Sequence, residues 1–103
     1  MILVFERSKP RYMTRAVVEE LSKEHQQLII DYLEEKQELL TDYLQVFEFY
    51  VENNQQWLIQ RQEVPNRETT IFVQLEEAEP IERTVWVMDQ GSEGVIILFP
   101  EDY

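Results

Sequence analysis

The hydrophobic period of this chain changes once, near Asp42, and that change limits the fold more than any other feature. Before it, residues 23–39 place apolar side chains at helical spacing, without Gly or Pro. After it come five segments rich in apolar, β-branched and aromatic residues: residues 43–52, 56–63, 69–75, 81–88 and 95–99. Their short connections favour antiparallel neighbours. The pattern predicts an α+β fold, with one amphipathic helix packed on a mostly antiparallel sheet of about five strands.

The predicted helix begins after Ser22, which is a good N-cap, and separates its side chains onto two faces. At about 100° per residue, one stripe is apolar and contains Leu21, Leu28, Ile29, Tyr32, Leu33, Leu39 and Leu40. The opposite face is acidic and contains Glu24, Asp31, Glu34, Glu35 and Glu38. His25, the one histidine, falls near the middle of the apolar stripe, so we expect it to be partly buried with a hydrogen-bond partner.

A hairpin is predicted where Asn53 and Asn54 separate two apolar segments, because this pair is typical of a tight two-residue turn. Such a turn places Tyr50 opposite Trp57 and Phe49 opposite Leu58. Cross-strand aromatic pairs of this kind contribute about 0.2 to 1 kcal/mol each. A slip by one residue would exchange the two faces of both strands.

Upstream of the helix, the β-branched and aromatic content of residues 12–18 predicts a further strand. Within residues 1–10, the apolar run at residues 2–5 is either a short strand or an ordered tail. The two glycines, Gly91 and Gly94, precede an apolar strand rather than a helix, so they predict a hairpin loop and not a phosphate cradle.

The length of 103 residues fits a single domain over residues 1–103, and its 44% apolar content supplies a core. The opening apolar run is too short for a signal peptide, and no stretch reaches the roughly 18 apolar residues of a membrane span. The sequence therefore predicts a cytoplasmic protein without membrane contact.

Charge is divided unevenly between the start of the chain and the rest. The formal net charge is -12, yet Arg7, Lys9, Arg11 and Arg15 lie close together with no carboxylate between them. These four residues are the basic segment. Its cations either pair with the protein's own carboxylates or a second copy, or they contact a partner. The acidic remainder repels a polyanion, so direct nucleic-acid binding is disfavoured.

The residue types predict a non-enzymatic protein without a cofactor or a dedicated metal site. There is no cysteine, and His25 has no second histidine with which to complete a zinc site. No serine lies in a nucleophile-elbow motif, and the carboxylates lack the spacing of a calcium loop. No pair of carboxylates is marked out for acid–base chemistry.

Three segments resemble one known family: residues 11–15 (RYMTR), 42–48 (DYLQVFE) and 61–65 (RQEVP). Their order and spacing are similar to those of DUF960, a family of small uncharacterised proteins of Gram-positive bacteria and their phages. The resemblance covers about residues 11–103. It implies a bacterial or phage intracellular origin, and no activity, cofactor or site residue.

Together these features predict a protein–protein interaction or regulatory module, with an unknown protein partner. The candidate contact residues are the basic segment and the acidic helix face: Arg7, Lys9, Arg11, Arg15, Glu24, Asp31, Glu34, Glu35 and Glu38. An alternative is nucleic-acid mimicry, in which the acidic helix face imitates a row of phosphates and inhibits a DNA-binding protein. A homodimer is compatible with both, either through Arg11 and Arg15 against the acidic face of a second copy or through an edge strand such as residues 95–99.

Overall fold

Two helices and six strands form the fold in the computed structural model, which describes residues 3–103. The elements are β1 Arg11–Met13, α1 Arg15–Glu20, α2 Lys23–Glu35, β2 Leu44–Glu52, β3 Gln55–Gln62, β4 Arg67–Val73, β5 Arg83–Asp89 and β6 Val95–Leu98. The strand order across the sheet is β1-β6-β5-β2-β3-β4. Only the β1–β6 pair is parallel among the strand pairs of the described residues. The α+β class is confirmed, with six strands in place of about five and a second, short helix.

The strand predicted over residues 12–18 is wrong beyond Met13, where β1 ends and α1 follows. Thr14 has an extended backbone, and its side-chain oxygen accepts a hydrogen bond from the Val17 amide at 3.3 Å, as an N-cap does. This cap, together with the complete burial of Val17, outweighs the strand propensity of the two adjacent valines.

The start of the chain is an ordered tail over the residues that the structure describes. Residues 3–5 form no strand, and the side chain of Phe5 is fully buried in the core. The part of the prediction that falls on residue 2 lies outside the described residues.

Helix α2 begins as predicted and ends early. The Ser22 side chain accepts a hydrogen bond from the His25 amide at 3.0 Å, which confirms the N-cap. The backbone leaves the helical region at Lys36, and tight turns then carry Leu40 into the core, where 2% of its surface is exposed. Burial of Leu40 therefore ends the helix before residue 39, and Glu38 lies in the turn after α2 rather than on the helix.

One face of the sheet is covered by α2. The ring of His25 contacts that of Phe49 edge-on at 5.1 Å between centroids, and Tyr32 contacts Phe47 in the same manner at 5.6 Å. Ile29 of the helix is also fully buried in this layer. Side chains alternate along a strand, so the residues next to Phe47 and Phe49 in β2 lie on the other face of the sheet.

The hairpin between β2 and β3 is confirmed. Asn53 and Asn54 have φ values of 54° and 61°, as a two-residue turn of type I′ requires. Tyr50 pairs with Trp57 and Phe49 pairs with Leu58, in the predicted register. The loop before β6 is also a hairpin loop, because β5 and β6 pair antiparallel across it.

The last strand lies inside the sheet and not at its edge. β6 is between β1 and β5, so both of its edges are hydrogen-bonded. The suggestion that residues 95–99 pair across a two-fold axis is therefore wrong. Chain order did not reveal this, because the strand that covers β6 comes from the start of the chain and pairs in parallel.

Four glutamines lie under the helix layer: Gln45, Gln56, Gln60 and Gln62, with 0%, 2%, 4% and 4% of their surfaces exposed. Gln45 donates to Gln62 Oε1 at 2.7 Å and accepts from Gln60 Nε2 at 2.7 Å. Gln62 Oε1 also accepts from the amides of Thr41 and Asp42. This network fixes the connection between α2 and β2 to the sheet.

A second buried network holds the start of α2. Gln56 Nε2 donates to three backbone carbonyls, and its Oε1 accepts from the Ile81 amide at 2.8 Å. Because these bonds set the amide orientation, Oε1 faces His25 Nε2 at 2.9 Å, and that nitrogen donates. His25 Nδ1 then accepts from the Ser22 hydroxyl at 2.6 Å. His25 is fully buried and has the hydrogen-bond partners that we expected.

We expect Gln45→Leu to lower the free energy of unfolding by about 2–3 kcal/mol, because it removes partners from buried amide groups of Gln60 and Gln62. The matched control is Gln55→Leu, an exposed position of β3, which should change stability by less than about 0.5 kcal/mol. Urea unfolding followed by circular dichroism measures both. Equal stabilities of the two variants would show that the network contributes little.

Candidate functional site

The basic segment is engaged largely with the protein's own surface. Lys9 Nζ lies 2.8 Å from Asp89 Oδ1 and donates to the carbonyl oxygen of Val4 at 2.8 Å. The Lys9 side chain is only 19% exposed in this pair. Its ammonium therefore joins the ordered tail to the end of β5, and it is not available as a free contact.

The three arginines of the basic segment differ in how firmly they are held. Arg7 pairs with Glu34 at 3.1 Å and Arg15 with Glu19 at 3.1 Å, with the arginine side chains 76% and 89% exposed. Such exposed pairs contribute at most about 1 kcal/mol, so both arginines can exchange partners. Arg11 donates to the Arg7 carbonyl, while its Nε and Nη2 atoms are shielded from solvent and have no partner among the described residues.

Glu24, at the start of the acidic helix face, holds a loop of its own chain. Its carboxylate accepts hydrogen bonds from the backbone amides of Glu76, Glu77 and Ala78. These amide donors, that of Ala78 first, lower the pKa of Glu24 below the usual value for a glutamate. The residue therefore anchors the connection between β4 and β5.

The other acidic residues remain at the surface of α2 and the turn after it. Asp31 accepts from Gln27 Nε2 at 2.8 Å, and Glu34 is the partner of Arg7. Glu35 and Glu38 are exposed and accept no hydrogen bond from the residues that the structure describes. Of the predicted acidic face, these two carboxylates are the least engaged within the chain.

A surface that the sequence did not reveal lies on the side of the sheet opposite α2. We call it the open face. The strand register places its side chains in four rows: Tyr12, Ile96, Met88 and Leu44; Leu98, Trp86, Val46, Arg61 and Glu68; Thr84, Glu48, Ile59 and Thr70; and Tyr50, Trp57 and Phe72. Apart from Leu98, all of them are partly or largely exposed.

Aromatic rings are prominent on the open face. The rings of Trp57 and Phe72 meet edge-on at 5.2 Å, and Trp86 meets Tyr103 at 6.1 Å. Exposure reaches 54% for Tyr12, 46% for Phe72 and 75% for Tyr103. Both tryptophans of the chain lie on this face.

Tyr103 is held at this face by the chain segment before it. Arg83 donates to Glu20 at 3.1 Å and also to Glu101, and its guanidinium lies 3.6 Å from the centroid of the Phe99 ring. The bond from Arg83 lowers the pKa of Glu101 below its usual value. These contacts connect α1, β5 and the short 3-10 helix Pro100–Asp102, which precedes Tyr103.

Charge on the open face is sparse and mainly negative. Arg61 lies near its centre and pairs with Glu48 at 2.7 Å, with both side chains about two-fifths exposed at 42% and 38%. Glu52 follows Tyr50 by two residues in β2, and Glu82 lines the same recess as Glu48 and Tyr50. The face is therefore largely apolar, with the Arg61–Glu48 ion pair inside it and the carboxylates of Glu52 and Glu82 at its rim.

The residue pattern of β2 is the sequence feature that indicates the open face. Leu44, Val46 and Tyr50 interleave with Phe47 and Phe49, so the strand is apolar on both sides. A strand that is solvated on one face normally alternates apolar with polar residues. Aromatic content by itself indicates strand propensity and not which face of the sheet is covered, so it did not predict the open face.

The described residues place two further limits on the site. Among residues 3–103, no group of three or more His, Asp or Glu side chains is arranged to hold a metal ion. Neither helix of the described chain has the length and hydropathy of a membrane span.

Replacing Glu24 with Gln should lower the melting temperature near neutral pH, because the carboxylate accepts three amide hydrogen bonds. The fold depresses the pKa of Glu24. The ionised carboxylate therefore stabilises the folded state above the unfolded-state pKa of about 4.3, and this stabilisation is lost as the pH falls through the folded-state pKa. The difference between Glu24→Gln and the unmodified protein should therefore shrink below about pH 4. The control Glu35→Gln should differ little at any pH. A constant difference for Glu24→Gln would contradict this role of the carboxylate.

Comparison with known proteins gives a family and a fold. A family model described as a staphylococcal protein of unknown function, DUF960, matches residues 10–101. The crystal structure of a protein of unknown function from Enterococcus faecalis is similar, with a TM-score of 0.85 and 19% identity. The alignment covers 100% of this chain and 98% of that one. No curated protein matches. At this identity the likeness concerns the fold alone.

Proposed function

Since the chain belongs to the DUF960 family, whose function is unknown, we propose a function from its own surface: it is a non-enzymatic protein–protein interaction module. The family membership predicted from three short segments is confirmed. The open face supports the interaction role, with the exposed Arg7 and Arg15 as further contacts at its edge.

The single observation that carries this proposal is the uncovered apolar side of the sheet. Soluble proteins seldom expose large contiguous apolar patches, and those that do generally use them for binding. Aromatic residues, Met and Arg are enriched at protein interfaces, and Trp57, Trp86, Met88 and Arg61 all lie on this face. The fitting partner surface is apolar at its centre and carries Lys and Arg opposite the acidic rim.

The predicted charged contacts fit at the edge of such a complex. Arg7 and Arg15 are held by exposed ion pairs, which a partner's carboxylates can replace at little cost. Lys9 and Glu24 have structural partners, so we assign them no direct contact. Rim charges of this kind affect the rate and salt dependence of association more than its final strength.

We expect the double variant Leu44→Thr/Met88→Thr to lose most of its partner binding, because it removes two adjacent apolar side chains while keeping residues that favour strands. A partner captured by the unmodified chain is identified by mass spectrometry and then purified for binding measurements. Loss of at least about tenfold in affinity is expected, since a few well-packed residues carry most of the binding energy of an interface and each of these costs more than about 1 kcal/mol when truncated.

The control for that measurement is Arg7→Gln/Arg15→Gln, which removes two exposed cations outside the open face. It should change the affinity by less than about threefold, in line with the small contribution of exposed pairs. The proposal is wrong if the arginine variant abolishes binding while the open-face variant keeps it.

Nucleic-acid mimicry is the second candidate function. The exposed carboxylates of Asp31, Glu35 and Glu38 favour it. The engagement of Glu24 with its own loop and of Glu34 with Arg7 shortens the row of free charges. Mimicry therefore depends on the C-terminal part of α2 and the turn after it.

If mimicry is the function, Glu35→Lys/Glu38→Lys should abolish capture of a DNA-binding protein. Affinity for that protein should also fall steeply with salt, as DNA binding does. Competition by double-stranded DNA for the captured partner is the measurement. Undiminished capture by this variant would exclude mimicry.

A further inference from the structure

We propose that the open face binds an amphipathic α-helix whose apolar stripe is flanked by Lys and Arg side chains. This inference rests on the proposed interaction function and names the chemistry of the partner. Three properties of the open face lead to it: the state of its backbone, the sign of its charge and its size.

The backbone of the sheet limits what can lie on it. β2, β3, β5 and β6 each have hydrogen-bonded neighbours on both edges. Unpaired backbone groups of the described strands are limited to the outer edges of β1 and β4, where they point sideways in the plane of the sheet, so the open face itself offers side chains. An occupant that buries its own amides and carbonyls there must satisfy them internally. An α-helix does so, whereas an extended peptide does not. Helix α2 packs on the opposite face of the same strands in this way.

The charge of the open face selects a basic helix. Glu52 and Glu82 lie beside Tyr50, and Arg61 is already paired with Glu48. Lys or Arg side chains on either side of the apolar stripe of the bound helix would lie opposite these carboxylates. Tyr50 and Trp57 also lie on this face, and aromatic rings attract cations to their π faces.

The same charge disfavours a second copy of this chain as the occupant. Each copy has a formal net charge of -12, and stacking two open faces brings two acidic rims together. Salt would then strengthen association by screening this repulsion, and it would weaken the binding of a basic helix. The sign of the salt dependence therefore separates the two occupants.

The dimensions suit a helix of ordinary length. Six strands spaced about 4.8 Å apart make the sheet roughly 25–30 Å wide. A helix of about 18 residues is about 27 Å long and 10–12 Å across, so it spans the sheet on the open face.

Trp57 and Trp86 make the test direct, because the only two tryptophans of the chain are both partly exposed on the open face. The probe is an 18-residue amphipathic peptide of Leu and Lys, without Trp. The control peptide has Leu at the same positions and Glu in place of Lys. We expect saturable one-to-one binding of the Leu/Lys peptide, with a blue shift of the tryptophan emission as water leaves the rings, and at least tenfold weaker binding of the Leu/Glu peptide.

Three variants of the chain locate the peptide. Leu44→Thr/Met88→Thr should weaken Leu/Lys binding at least tenfold, and Glu52→Gln/Glu82→Gln should weaken it about fivefold at low salt. Glu35→Gln/Glu38→Gln removes the same charge from the α2 side of the molecule and should change the affinity less than twofold. Circular dichroism confirms that each variant is folded.

Several results would overturn the inference. One is equal binding of the Leu/Lys and Leu/Glu peptides. Another is a loss of affinity for Glu35→Gln/Glu38→Gln as large as that for the rim variant, since the peptide would then lie on the acidic side of α2. A blue shift that appears without peptide as the protein concentration rises would identify a second copy as the occupant.

The failure of this inference and that of the proposed function give different results. If the Leu/Lys peptide does not bind but Leu44→Thr/Met88→Thr still loses an identified partner, the open face is an interface and its occupant is not a basic helix. If that variant keeps the partner as well, the interaction function of the open face is wrong.

Discussion

A β-sheet has two faces, and this chain has one long helix with which to cover them. Helix α2 packs on the side of Phe47 and Phe49, where its residues Ile29 and Leu33 are fully buried. Helix α1 has only six residues and contributes Val17 to the same core. The other side of the strands is largely apolar, and among the described residues no α-helix packs on it. The burial of one face and the exposure of the other follow from this imbalance, and so does the proposed binding surface.

Polar groups fix the covered side in place. His25 and Gln56 connect the start of α2 to the sheet, and the cluster around Gln45 and Gln62 holds the chain after α2. Glu24 adds three hydrogen bonds at the surface to the loop between β4 and β5. Each buried amide has partners, so the helix has one position on the strands. These bonds give the open face a defined shape, and in the proposed interaction such preorganisation would lower the entropic cost of binding.

Local signals in the sequence identified local structure correctly. Ser22 caps α2, and the turn at Asn53 sets the pairing of Tyr50 with Trp57, because both features depend on neighbours in the chain. The strand predicted through Val17 failed because a cap at Thr14 and burial in a distant core outweighed propensity. The predicted charged residues were located at the surface, yet Lys9 is paired with Asp89, eighty positions away along the chain. Ion-pair partners so distant in the chain produce no periodic pattern in the sequence from which the pair could be predicted.

The sequence by itself determined the α+β class, the amphipathic helix, the β2–β3 hairpin and the family, since these depend on spacing and residue type. Only the tertiary structure decided that β1 pairs in parallel with β6, and that β6 is therefore interior. It also decided which carboxylates are engaged within the chain and which remain free. The open face belongs to this second group. Each strand contributes only a few of its side chains, and they form one surface only when the register aligns them across the sheet.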